Sequence, residues 1–110
     1  MSQITTHVLD NALGRPAAGV PVTLEQREGG AWALLDRAST DADGRVGQLG
    51  AESLHPGDYR LRFDTASYFT ETGQTGFFPE VTLVFAVADA SHYHVPLLLS
   101  PFAFSSYRGS

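Results

Sequence analysis

A chain of 110 residues makes one domain, residues 1–110, and a monomer of that size hides only about two-thirds of the surface its unfolded chain exposes, so association with further copies adds stability. Apolar residues make up 43% and charged residues only 17%, below the usual charged fraction of about 25%, as expected if other copies cover part of the surface. The absence of Cys excludes a disulfide frame, a thiolate metal site and a thiol nucleophile; the seven basic residues are all Arg, so Schiff-base chemistry has no Lys to use; and a formal charge of −5 argues against a nucleic-acid partner.

The opening MSQITTHVLD has neither the basic nor the apolar region of a signal peptide. No apolar run approaches the ~20 residues of a membrane helix. The expectation is a soluble, cytoplasmic, oligomeric domain without a membrane partner. Period-two alternation predicts a first strand over residues 4–10, with Ile4, Thr6 and Val8 on one face and Thr5, His7 and Leu9 on the other. Gly14 and Pro16 punctuate the turn after it. Residues 20–26 alternate again, and Gly29-Gly30 makes a hairpin into residues 32–39.

Asp41-Ala42-Asp43-Gly44 reads as a turn that positions Arg45. Its acidic spacing suggests a calcium loop, but the position of the last, bidentate ligand falls on Gly50, and the comparison fails there. A short edge strand is expected over residues 49–54, then a turn at His55 to Asp58. Tyr59, Leu61 and Phe63 alternate with Arg60, Arg62 and Asp64 as a half-buried strand. Residues 66–72 form the one helix candidate, capped by Asp64 or Thr65 and stopped at Gly73. Residues 80–87 are a strand with Val81, Leu83, Phe85 and Val87 on one face. Residues 92–100 and 102–108 are two more, broken at Ser100-Pro101. Seven or eight short strands at this spacing, with one small helix, point to an all-β antiparallel sandwich.

Alternation also divides the last strands by chemistry. Tyr93, Val95, Leu97 and Leu99 are large and apolar, which makes theirs the core face. His92, His94, Pro96 and Leu98 lie opposite, and Ser105, Tyr107 and Gly109 share a face in the final strand. Pro96 conflicts with a mid-strand position, so its missing N–H is expected at a non-bonded or bulged place. The outer face is apolar with sparse polar groups: His7, His94, Ser105 and Tyr107. Such a face suits an oligomer interface, a ligand site, or both. Taken singly, each residue has a plainer reading as surface or satisfied core. His92-x-His94 supplies only two metal ligands, and no Gly-x-Ser-x-Gly elbow is present.

The segments HVLDNALGRPAAGVPVTLEQ, TDADGRV, PGDYRLRFDTASYF and HYHVPLLLSP, with the closing YRGS, resemble the 5-hydroxyisourate hydrolases, the transthyretin-related enzymes of purine catabolism. The resemblance runs from His7 to Ser110, and YRGS separates these hydrolases from the transthyretin carriers that share the fold. It implies a transthyretin-like sandwich of eight strands in two four-stranded sheets, assembled as a homotetramer (a dimer of dimers) with sites at the dimer–dimer interface. It implies hydrolysis of the substrate 5-hydroxyisourate with no cofactor and no metal. His7 and His94 match the catalytic positions, and Arg45 and Tyr107 those that bind substrate. Arg108, Ser110 and His92 are supporting candidates. Phe102 and Phe104 stand where many relatives have Tyr. The rival expectation is a transthyretin-like carrier that uses the same channel for a small hydrophobic ligand.

Overall fold

The computed structural model describes residues Met1–Ser110. Its strands run, in chain order, β1 Ile4–Asp10, β2 Arg15–Pro16, β3 Pro21–Glu28, β4 Ala31–Ser39, β5 Arg45–Leu49, β6 Gly57–Phe63, β7 Val81–Val87, β8 Tyr93–Ser100 and β9 Ala103–Ser106, and the helix α1, Thr65–Glu71, falls between β6 and β7. Setting aside the two-residue β2, which only extends one edge of β1, eight strands form two sheets of four. One is β5–β1–β8–β9 and the other is β4–β3–β6–β7. The transthyretin-like sandwich expected above is the architecture found. No helix is long and apolar enough to cross a membrane.

Alternation sets which side chains meet between the sheets, because successive strand residues point to opposite faces. Ile4 and Val8 of β1 and Leu97 and Leu99 of β8 face Leu24 of β3 and Tyr59, Leu61 and Phe63 of β6; each is at most 1% exposed. Deleting one of these side chains to Ala costs about 2–5 kcal/mol through lost burial and the cavity left behind. The helix starts where the Asp64 carboxylate accepts from the Ser67 amide at 3.0 Å, replacing a partner its first turn lacks. It stops before Gly73, at φ +67°. Tyr68 and Phe69 bury its inner side against the sandwich.

Two features depart from the sequence reading. The edge strand is β5, Arg45–Leu49, and not residues 49–54. Gly50, at φ +83°, turns the chain away there, and its amide donates to Asp36 Oδ2 at 2.7 Å. The second departure lies within an otherwise antiparallel sandwich: β1 and β8 pair in parallel, from Ile4 opposite Tyr93 to Asp10 opposite Leu99.

The expectation for Pro96 holds. β8 and β9 pair from Ser100–Ala103 back to Leu97–Ser106, the ladder lapses, and it resumes in the same register at His94–Gly109. Pro96 falls in the lapse. Its carbonyl, which lies on the β9 side, accepts from Ser106 Oγ at 2.7 Å, so the missing N–H costs no ladder bond.

Candidate active site

Register decides which polar groups meet on the outer face of the β5–β1–β8–β9 sheet. Thr5 lies opposite His94, and His7 lies opposite Pro96 on one side and Arg45 on the other. Directly paired residues share a face, so Thr5, His7, His94 and Arg45 form one cluster on three adjacent strands. A cavity of about 250 Å³ opens there, lined by Thr5, Arg45, His92, His94 and Ser110 among others.

Arg45 owes its place to the turn before it. Asp41 Oδ1 accepts from the amides of Asp43 and Arg45, both at 2.9 Å, which uses this carboxylate to hold the loop. Gly44 sits at φ +76°, and a Cβ there would lie 2.4 Å from the Val8 carbonyl oxygen. Only Gly allows that approach, which lets the Val8 amide donate to the Gly44 carbonyl at 2.7 Å and docks the turn on β1. The ion pairs of the chain engage Arg27, Arg60 and Arg62. The exposed Arg45 guanidinium takes part in none of them.

His7 is fixed by the same turn. Its Nε2 lies 2.8 Å from the Asp43 carbonyl oxygen, and a carbonyl only accepts, so Nε2 carries the proton. The neutral ring then has its lone pair on Nδ1. His94 is half-buried on β8, and its Nδ1 lies 2.8 Å from Thr5 Oγ1. Burial pushes its pKa below the ordinary value, and the neighbouring His92, His7 and Arg45 push it further the same way. At neutral pH it is therefore an uncharged imidazole able to take a proton. Its ring stacks on His92, with centroids 6.3 Å apart and planes inclined by 22°.

The chain end closes one side of this cluster. The Gly109 amide donates to the His94 carbonyl at 2.8 Å. A Cβ on Gly109 would lie 2.6 Å from His94 Cδ2, so the missing side chain makes room for the imidazole. Arg108 points elsewhere: its guanidinium lies 4.0 Å over the Tyr93 ring and donates to Ser91 Oγ and to the His92 carbonyl. It clamps the terminus, and Ser110 reaches the cavity. The terminus is thus held by contacts within its own chain.

Of the residues singled out in the sequence, the fold brings together Arg45, His92, His94 and Ser110, with His7 beside them. Tyr107 stands apart within one chain. It is 59% exposed and lines a groove of about 430 Å³ between the β7 and β9 edges, with Phe85, Tyr93 and Arg108. Two residues escape the sequence reading. Alternation puts Thr5 on the face of His7, but its place opposite His94 depends on a parallel pairing that no local pattern signals. Gly109 is visible only as part of a motif, and its contact with the His94 ring is tertiary. A cleft of about 440 Å³ on the other sheet is lined by Glu25, Arg37, Arg62 and Glu80. There Arg62 pairs with Glu80 at 2.8 Å, and no imidazole lines the cleft.

Comparison with known proteins identifies the family. The family model described as HIUase/Transthyretin matches residues 4–109. A 5-hydroxyisourate hydrolase of Salmonella dublin is 45% identical over 109 residues, spanning 97% of this chain and 80% of that protein. The solved 5-hydroxyisourate hydrolase of Klebsiella pneumoniae superposes with a TM-score of 0.87 at 36% identity, covering 97% of this chain and 98% of that one. A transthyretin of Sparus aurata superposes with a TM-score of 0.93 at 32% identity, covering 99% and 97%. The chain belongs to the HIUase/Transthyretin family.

Proposed function

We propose that this chain hydrolyses 5-hydroxyisourate, opening its lactam to 2-oxo-4-hydroxy-4-carboxy-5-ureidoimidazoline in urate breakdown. The observation that carries the reading is the uncharged, half-buried His94 beside His7 and an unpaired Arg45. Fold alone does not choose, because enzyme and carrier both superpose on this chain. A carrier of hydrophobic ligands has no use for an imidazole held neutral beside a free guanidinium. The relatives named as hydrolases of 5-hydroxyisourate, 45% and 36% identical, favour the same side.

In this reading water adds to the lactam carbonyl while an imidazole takes its proton, the carbonyl oxygen becomes negative, and the C–N bond then breaks with protonation of nitrogen. His94 and His7 share the proton handling. Arg45 donates to the developing oxyanion and holds the substrate carbonyls. A positioned general base supplies ~10²–10⁴-fold, enough with orientation for a reactive lactam to open without a metal. The cytoplasm is the proposed location. A homotetramer, a dimer of dimers, sets the outer faces around a water-filled channel between dimers, and Tyr107 then serves the site across the dimer–dimer interface.

The test is the ultraviolet absorbance of freshly generated 5-hydroxyisourate with and without the protein. Accelerated decay, unchanged by chelator, is the expected result. Decay at the spontaneous rate would leave the carrier reading standing, and loss on chelation regained with zinc would point to a metal on His92 and His94. Light scattering on the eluting protein tests the tetramer.

A further inference from the structure

Thr5 holds its hydroxyl within hydrogen-bond distance of both histidines of the cavity. Its side chain is buried, 6% exposed. Its Oγ1 lies 2.8 Å from His94 Nδ1 and 3.0 Å from His92 Nε2. A hydroxyl owns a single proton. It therefore donates to one ring and accepts an N–H from the other, and the two tautomers are tied together. In one arrangement Thr5 donates to His92 Nε2 and accepts from His94 Nδ1–H, which leaves His94 Nε2 bare and basic. The reverse arrangement leaves His94 without a free lone pair at either nitrogen.

We infer that Thr5 and His92 form a proton relay for His94, holding it in the basic tautomer and passing the proton it gathers on to solvent. The inference rests on the hydrolase reading. Hydrolysis of a lactam at neutral pH gives up one proton: of the water's two, one ends on the leaving nitrogen and the other is released as the new carboxyl group ionises. The relay gives that second proton a route. As water attacks, its O–H bond breaks, the electron pair stays on the oxygen that bonds carbon, and a bond forms at His94 Nε2. The Nδ1 proton then moves to Thr5 Oγ1 while the Thr5 proton moves to His92 Nε2. Thr5 again holds one proton, His94 is neutral, and the cation rests on exposed His92, where water solvates it.

The surroundings favour this direction. His94 is half-buried and faces His7 from β1 and Arg45 from β5. A cation there is poorly solvated and repelled, whereas His92 opens to water. Thr5 acts through His94 and is a positioning residue. Thr on a strand is also the right shape for an isosteric test, since Val keeps the branch and loses only the hydroxyl.

Three variants of the full-length protein are compared. Thr5→Val is expected to lower kcat about 10-fold or more with KM within about twofold, and Thr5→Ser to restore most of it. His92→Asn, at an exposed position that leaves the fold alone, is expected to lower kcat several-fold in dilute buffer and to regain it with added imidazole, which accepts the proton from solution. Nitrogen-15 spectra of the histidine rings read the tautomers without substrate. Wild type and Thr5→Ser should show His94 protonated at Nδ1 and His92 bare at Nε2, with that preference lost in Thr5→Val. An active wild type with Thr5→Val and His92→Asn equally active and buffer-independent would overturn the relay. So would a wild-type His94 protonated at Nε2. A wild type that does not accelerate decay would overturn the hydrolase reading, and the spectra would still decide the tautomer link.

Discussion

At the C-terminal end of β1 the Asp10 carboxylate, 1% exposed, accepts from the amides of Ala12 and Leu13, the Tyr68 hydroxyl and the Gln74 side chain. At the N-terminal end of the same strand the Thr5 hydroxyl, 6% exposed, lies between two imidazoles. Both are buried polar networks, and they differ in freedom. Burial drives the Asp10 pKa up, but its four donors outweigh that and hold the carboxyl below its ordinary value. Burial and the same carboxylate push Tyr68 up to about 12. Neither group changes charge near neutrality. The Thr5 network contains two imidazoles, each with a nitrogen able to give or take a proton, and a hydroxyl that serves either way round. A buried polar group with every bond fixed supports a fold; one with a choice of bonds can support a reaction.

Substitutions at the two ends should separate these roles. The largest effect is expected at His94. His94→Ala should lower kcat/KM by about 10²–10⁴-fold while shifting Tm little, because the ring lies off the core face; enzyme assay and thermal melting on one sample give both numbers. Asp10→Ala should do the converse, removing about 2–4 kcal/mol of stability by stranding buried donors, as read by urea unfolding. Activity per folded molecule should stay near that of wild type. Equal loss of activity would erase the distinction between the two ends.

Smaller changes sharpen it. Gly109→Ala places a methyl 2.6 Å from His94 Cδ2, and a ring held by Thr5 has little room to yield. Turnover should fall about 10-fold, with the melting curve nearly unmoved. Arg45→Gln tests the electrostatics in direction. Burial is the main cause of the lowered His94 pKa, and the Arg45 charge adds to it. Removing that charge lets the pKa rise. The acid limb of the pH–rate profile should move to higher pH, so the variant loses more at pH 6 than at pH 8, on top of a uniform loss of substrate affinity. A limb that stays in place would mean the Arg45 charge does not reach His94.

Much of this was legible before any coordinates. The run from Tyr93 to Leu99 alternates so cleanly that core and outer faces separate by inspection, and Tyr59, Leu61 and Phe63 do the same in β6. The placement of His7 and His94 on outer faces follows from period two alone. Other features leave no local trace. β5 reads Arg-Val-Gly-Gln-Leu, too polar and glycine-bearing to declare itself, so the apolar residues Leu49 and Leu54 draw the expected strand too far along the chain. The parallel match of β1 with β8 joins residues 89 apart in sequence, as Ile4 and Tyr93 show, and local pattern carries no information at that range. Thr5 was hidden for the same reason.

That pairing governs timing as well as place. Two parallel strands cannot meet by a hairpin, and the loop that joins them spans most of the chain, so closing it costs more entropy than any other step and comes late. The sheet β4–β3–β6–β7 closes shorter loops, its widest pairing being that of Val22 with Phe63, and is free to form earlier. Thr5, His7, Arg45, His92 and His94 all stand on or beside the β5–β1–β8 seam. Refolding followed by hydrolysis and by Trp32 fluorescence, the latter reporting β4, should therefore show the fluorescence recovering first. Until β8 docks, the chain carries a nearly complete sandwich half with no site, and the exposed seam of β1 is the part most open to the wrong partner.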